Sequence, residues 1–284
     1  MKKFMITFTL ALSIACFSKG YHTVHADTSD STTSSQTTTS DDNNQSDQSS
    51  DSSDDSDSGS DSSDSDQSSN VQPTKTITFH YQTTSGKQIS PDVTETTNGN
   101  SFYSYAFNYD GTEIKPYVKA IKGYVTYYQA PDQLTYDNLP SSITVKYVKA
   151  SDAAKQMSKY YMQYLNRYRN KLKLKSLKTS SDLNKKANVR AKELEKYFSH
   201  VRPNGTSYNT KNSGYGEVML GVDLIYSGPN KTLNYQKTAE NCAKTLLTED
   251  ALHRDTLLNT WSSYGAAGFN LSDNGSTLCG LFKL

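Results

Sequence analysis

The chain has 284 residues, room for about two domains, with 30 Lys and Arg set against 29 Asp and Glu. That balance hides an asymmetry: residues 27–70 hold twelve Asp and no Lys or Arg, whereas from Val71 onward 27 basic residues face 17 acidic ones. No apolar run reaches the roughly 20 residues a membrane-spanning helix needs, and there is no Gly-rich phosphate loop, dinucleotide fingerprint or Cys-x-x-Cys pair, so nucleotide-dependent and dithiol chemistry have no motif here.

Met1 to Ala26 opens with Lys2 and Lys3, continues in an apolar run from Phe4 to Phe17, and closes on Val24-His25-Ala26 before Asp27. This is the three-part layout of a cleaved secretory signal over residues 1–26. Cys16 offers a lipoprotein alternative, but Ser13-Ile14-Ala15 ahead of it lacks the Leu that usually heads such a signal. A secreted protein is expected, released or held on a cell wall without a covalent anchor. Residues 27–72 are Ser- and Asp-rich, with too little apolar surface to form a core. Like-charge repulsion predicts a disordered, extended stalk there.

From Thr74 the pattern changes. Thr76-Ile77-Thr78-Phe79-His80-Tyr81 alternates at the period of a half-buried strand. Ser85-Gly86-Lys87, Asn98-Gly99-Asn100 and Asp110-Gly111 read as turns, and strands are expected over Ile121–Tyr127 and Ile143–Val148. Residues 74–149 thus form a small β-rich module. Ser151 opens a helical part. Met157, Tyr160, Tyr161, Tyr164, Leu165, Tyr168 and Leu172 form one apolar stripe. A second helix starts near Asp182, a good N-cap, and runs through Leu183, Ala187, Ala191, Leu194 and Phe198. A third spans Thr238 to Leu247, a short fourth holds Leu252, Leu257 and Leu258, and two strands, Ala267–Leu271 and Thr277–Phe282, flank the turn Asp273-Asn274-Gly275. Helices followed by a terminal hairpin predict an α+β fold for residues 151–284, a sheet covered by helices.

Ile77–Tyr81, the turn at Gly86, Ile89, Ile121-x-Gly123-Tyr124 and Val145-x-Tyr147-Val148 resemble the MucBP-type modules of Gram-positive surface proteins, here with Thr83-Thr84-Ser85 in place of an acidic turn. That resemblance implies host mucin or wall-glycan binding; a rigid spacer between stalk and C-terminal domain is the alternative. The C-terminal motifs are Leu165-Asn166-x-x-Arg169, Arg190-Ala191, Phe198-Ser199-His200-x-Arg202-Pro203-x-Gly205, Gly216-Glu217, His253-Arg254-Asp255 and Gly265-Ala266-Ala267-Gly268. Together they resemble the CAP superfamily, also called SCP-like, and imply its α-β-α sandwich. Secreted lactic-acid-bacterial surface proteins share this kind of layout.

The CAP resemblance implies a cleft lined by two His and two acids, some members holding a divalent ion. Position by position these are His200, Glu217 and His253, with Asp250 as the second acid and Glu249 beside it. The family's Gly-Glu-Asn is Gly216-Glu217-Val218 here, so an amide that would brace the cleft is missing. Imidazole and carboxylate suit Zn or another divalent metal, and a metal-free His–Glu pair suits general-base work. Arg202 and Arg254 offer fixed cations to an anionic ligand. The plainer readings are that His200 caps backbone carbonyls and that Arg202 pairs with an internal acid. A Ser199-based hydrolase is disfavoured because neighbouring helical side chains point apart. Cys242 and Cys279 form a disulfide or stay as buried thiols. The 21 tyrosines line a sugar-facing surface or fill cores. The expected function is extracellular binding or adhesion, with host mucin, another glycan or an anionic wall polymer as partner and no specific nucleic acid. A metal-assisted hydrolase acting through His200, Glu217 and His253 is the alternative.

Overall fold

The computed structural model describes residues 72–109, 111–210, 213–248, 250–272 and 275–284. The expected signal over 1–26, the stretch 27–70, Glu249 and the tip of the Asp273-Asn274 turn lie outside them. Among the described residues no helix is long and apolar enough to cross a membrane.

The first part is built of strands: β1 (Lys75–Thr83), β2 (Gln88–Thr97), β3 (Phe102–Tyr103), β4 (Phe107–Tyr109), β5 (Thr112–Ile114), β6 (Tyr124–Thr126), β7 (Gln133–Leu134) and β8 (Ser142–Lys149). Its main sheet runs β2-β1-β8-β6, with β1 and β8 parallel and the other neighbours antiparallel. The alternation foreseen in β1 puts Ile77, Phe79 and Tyr81 inward, against Tyr117, Leu134, Val145 and Tyr147.

The second part follows without a linker, since β8 ends at Lys149 and α1 (Ala150–Lys171) begins at the next residue. Then come α2 (Ser181–Lys196), β9 (Tyr215–Val222), β10 (Tyr226–Ser227), β11 (Thr232–Leu233), α3 (Tyr235–Thr248), α4 (Ala251–Leu258), β12 (Tyr264–Asn270) and β13 (Ser276–Lys283). The antiparallel sheet runs β12-β13-β9. One face packs Val218, Val222, Ala267, Phe269, Leu278 and Phe282 against Met157, Tyr161 and Leu165 of α1 and against α3. The other face packs Ala266, Cys279 and Leu281 on Leu183, Ala187, Ala191 and Leu194 of α2. This is the expected α-β-α sandwich.

The two parts share more than a chain connection. Val125 of β6 is wholly buried in the core of the helical half, with Tyr127 and Val148 packed on it. Tyr128 bridges Thr232, Leu233 N–H donates to Tyr127 O at 2.8 Å, Gln129 N–H donates to Lys231 O at 2.9 Å, and the Thr126 and Tyr226 hydroxyls meet at 2.6 Å.

The sheet also decides the cysteine question. Cys242 on α3 lies in the core on one side and Cys279 on β13 faces α2 on the other, so the sheet stands between them and both are free thiols. The disulfide alternative is therefore corrected. Burial pushes the Cys242 thiol up to about 12 and Cys279 well above its ordinary value, the latter reinforced by the charge of Glu217. Neither thiol is poised to become a reactive thiolate.

Candidate functional site at the Glu217 edge of the sheet

Glu217 sits in β9, the edge strand, and points to the α2 face; its side chain is fully buried. A buried carboxylate needs a partner, and α2 supplies Arg190, itself fully buried, whose Nε donates to Glu217 Oε1 at 2.6 Å. Arg190 Nη1 reaches Glu193 Oε2 at 3.4 Å and Nη2 donates to the Ser199 carbonyl, tying the chain just past α2 to the helix. Glu193 in turn takes a two-pronged bond from Arg202, Nε to Oε2 at 3.0 Å and Nη2 to Oε1 at 2.7 Å. The Arg202 bond, with help from Arg190, holds the Glu193 carboxyl below its usual range. A chain of alternating charge, Arg202–Glu193–Arg190–Glu217, thus runs from the loop after α2 into the sheet.

His200 ends this chain. Its Nδ1 lies 2.7 Å from Glu217 Oε2, and its side chain is 40% exposed. An ionised carboxylate only accepts, so Nδ1 donates to it. Asn209 fixes the other side of Glu217. Its Oδ1 accepts from Glu217 N–H at 2.7 Å and its Nδ2 donates to Glu217 O at 3.3 Å, pairing with the free edge of β9 as a neighbouring strand would. Asn209 Nδ2 also stands 3.1 Å from His200 Nδ1. Two donors face each other there, so the carboxylate contact sets the tautomer. Asn209 thus braces the edge of β9 at Glu217 from the preceding loop.

Gly216, next to Glu217, is needed for a close approach from the opposite face. A Cβ there would meet Thr256 Cγ2 at 2.9 Å and the Trp261 ring at 3.3 Å. Helix α4 and Trp261 therefore cover β9 on the side away from Glu217. His253 Nδ1 lies 3.3 Å from Asp250 Oδ2, one turn back on the same helix.

His200 pairs with Glu217 at 2.7 Å, and His253 lies 3.3 Å from Asp250 on its own helix. Among the described residues no three His, Cys, Asp or Glu side chains gather to hold a metal. Both Glu217 oxygens are engaged, Oε1 by Arg190 and Oε2 by His200. Asp250 is the N-cap of α4, its carboxylate accepting from Leu252 N–H at 2.5 Å and His253 N–H at 3.3 Å. Arg202 is spent on Glu193, the plainer reading of that residue. Arg254 stays largely in solvent, 3.9 Å from Asp255. Ser199 Oγ accepts from Val201 N–H at 3.1 Å and supplies no nucleophile to His200.

Residues 162–282 match the CAP family model, described as the cysteine-rich secretory protein family. That stretch holds His200, Glu217, His253 and most of the three-layer fold, from within α1 to within β13. No curated protein matches the chain. Among solved structures, an outer surface protein from Borrelia burgdorferi is similar over 46% of this chain and 94% of its own, at 18% identity and a TM-score of 0.36. A cysteine-rich secretory protein from Staphylococcus aureus subsp. aureus Mu50 is similar over 63% of this chain and 65% of its own, at 16% identity and a TM-score of 0.29.

Proposed function

We propose that this is an extracellular binding protein whose CAP-type domain presents the His200 imidazole as a ligand-contacting group, with residues 74–149 as a second, glycan- or mucin-facing surface. The observation that carries the reading is the His200–Glu217–Arg190 chain. It orients one imidazole through Nδ1 while the side chain stays 40% exposed. Such a group accepts a hydrogen bond from a hydroxyl or amide, or donates one to an anion when protonated. Location outside the cell is supported by the signal-like residues 1–26 and by the description of the matched family. Binding is favoured over hydrolysis because Glu193, Glu217 and Asp250 are all engaged by internal partners.

The test is retention of the mature chain on purified Gram-positive cell wall and on mucin-coated beads, with soluble products monitored in parallel. Wild type is expected to be retained without releasing fragments, and His200→Ala is expected to lose about tenfold or more in affinity, as for a polar group at the centre of an interface. Steady release of fragments that stops in His200→Ala would overturn the binding reading in favour of a hydrolase.

A further inference from the structure

One end of the C-terminal sheet carries a row of alternating lysine and tyrosine. Register sets it: Tyr264 of β12 lies opposite Lys283 of β13, and Lys283 lies opposite Tyr215 of β9. Lys178 extends the row on the outer side, bridging Tyr264 in parallel through Lys178 N–H to Ser263 O and Gly265 N–H to Lys178 O, both 2.9 Å. Residues directly opposite one another in a sheet share a face. Here it is the α2 face, since Ala266 and Leu281, two residues along from Tyr264 and Lys283, pack on that helix. Lys178 and Lys283 are exposed, and Tyr264 is 36% exposed.

Helix α2 adds positive charge to the same end. Lys186 Nζ donates to Tyr215 OH at 3.0 Å and pairs with Asp182 at 2.9 Å, and Lys185 and Lys283 also act on that carboxylate. Adjacent strands stand about 4.8 Å apart, so the Lys178 and Lys283 backbones are about 9.6 Å apart with a tyrosine between them. Tyr215 precedes Glu217 by two residues on the same strand face, about 7 Å along β9, so the row leads toward the His200 pair.

We infer that the row Lys178–Tyr264–Lys283–Tyr215 binds an acidic glycan in which charged and uncharged sugars alternate. The order cation, ring, cation places ammonium groups where every second sugar carries a carboxylate, and an amphipathic phenol where the intervening sugar lies. A nucleic acid fits less well. It is charged at every unit, and its bases need free ring faces to stack on, whereas the Tyr215 ring has the Lys186 and Lys283 ammonium groups at 5.4 and 5.5 Å from its centre. The inference rests on the extracellular binding reading and gives that same face a ligand class.

The experiment uses the full mature chain and hyaluronan hexasaccharide as probe, followed by calorimetry at low and physiological salt, with oligo-dT as comparator. Lys178→Gln with Lys283→Gln is expected to weaken hexasaccharide binding about tenfold and flatten its salt dependence, while Lys155→Gln with Lys159→Gln, exposed on α1, changes it by less than about twofold. Tyr264→Ala is expected to weaken binding with little change in salt dependence. Equal losses in the two lysine pairs, no hexasaccharide binding by wild type, or tighter binding of oligo-dT would each overturn the inference. A His200→Ala arm separates the two readings. Loss in His200→Ala with none in the Lys178/Lys283 variant overturns the row and leaves the His200 site standing. The reverse pattern supports the row and removes His200 from the ligand.

Discussion

Replacing Arg190 by alanine is expected to destabilise the C-terminal domain by about 3–5 kcal/mol, the cost of breaking a buried ion pair by removing one partner. The reason lies in Glu217. Its side chain is fully buried, and Arg190 Nε on Oε1 at 2.6 Å is its closest charge partner. His200 alone would leave that carboxylate undercompensated in a medium that tolerates no lone charge. The same substitution frees the Ser199 carbonyl and detaches the loop carrying His200. For a folded unit of this size the loss corresponds to a fall of roughly 6–20 °C in Tm. Arg190→Met with Glu217→Met is expected to recover much of it, because removing both charges leaves none buried alone. If Arg190→Ala melts within about 1 °C of wild type, a cost of only a few tenths of a kcal/mol, the buried pair is not what holds this face together.

Gly268→Ala is the second large effect. A Cβ at Gly268 would run into the carbonyl of Ala187 and the amide of Asn188, backbone atoms of α2. Overpacking costs about 1–3 kcal/mol when side chains yield, and more when they cannot; backbone cannot, so about 3 kcal/mol or more is expected. The measurement is the denaturant midpoint at unchanged slope. Gly265→Ala is the comparison. Its Cβ would meet Leu177 Cδ1 at 2.9 Å and Met162 Cε at 3.0 Å, and these are tips of flexible side chains, so the cost is smaller. Equal effects at the two positions would mean that α2 does not ride on Gly268 as closely as the structure has it.

Helices α1, α3 and α4 and strands β12 and β13 were legible because their apolar residues repeat at the period of the element. The first residues of α2 were not. Asp182 is a good capping residue, but Ser180 caps the helix, its hydroxyl accepting from Leu183 N–H at 3.1 Å, and Asp182 pairs with Lys186 instead. Strand β9 escaped notice because the residue that matters most in it, Glu217, is charged and interrupts the apolar pattern; only the pairing with Arg190, 27 residues away, makes it an interior residue. Asn209 left no signal for the same reason, since its role depends on a loop folding back onto a strand edge. The family resemblance pointed to His200 and Glu217, and the structure places them in contact. The motifs did not reveal that Asp250 caps α4 or that Thr256 and Trp261 close on Gly216 from the opposite face, because spacing along the chain carries no record of which side of a sheet a helix will cover. The basic surplus after Val71 was plain as a count, but its concentration at Lys178 and Lys283 depends on strand register.

The central claim is that Glu217 fixes the His200 ring with the proton on Nδ1 and Nε2 open for a ligand. A long-range proton–nitrogen correlation spectrum of histidine-labelled mature chain, recorded well above the ordinary imidazole pKa of about 6.5, tests it directly. The spectrum is expected to show a protonated Nδ1 and a bare Nε2 for His200, loss of that preference in Glu217→Ala, and a shift of Nε2 alone when a bound oligosaccharide arrives. A His200 protonated on Nε2, or one whose ring nitrogens ignore both the substitution and the ligand, would contradict it.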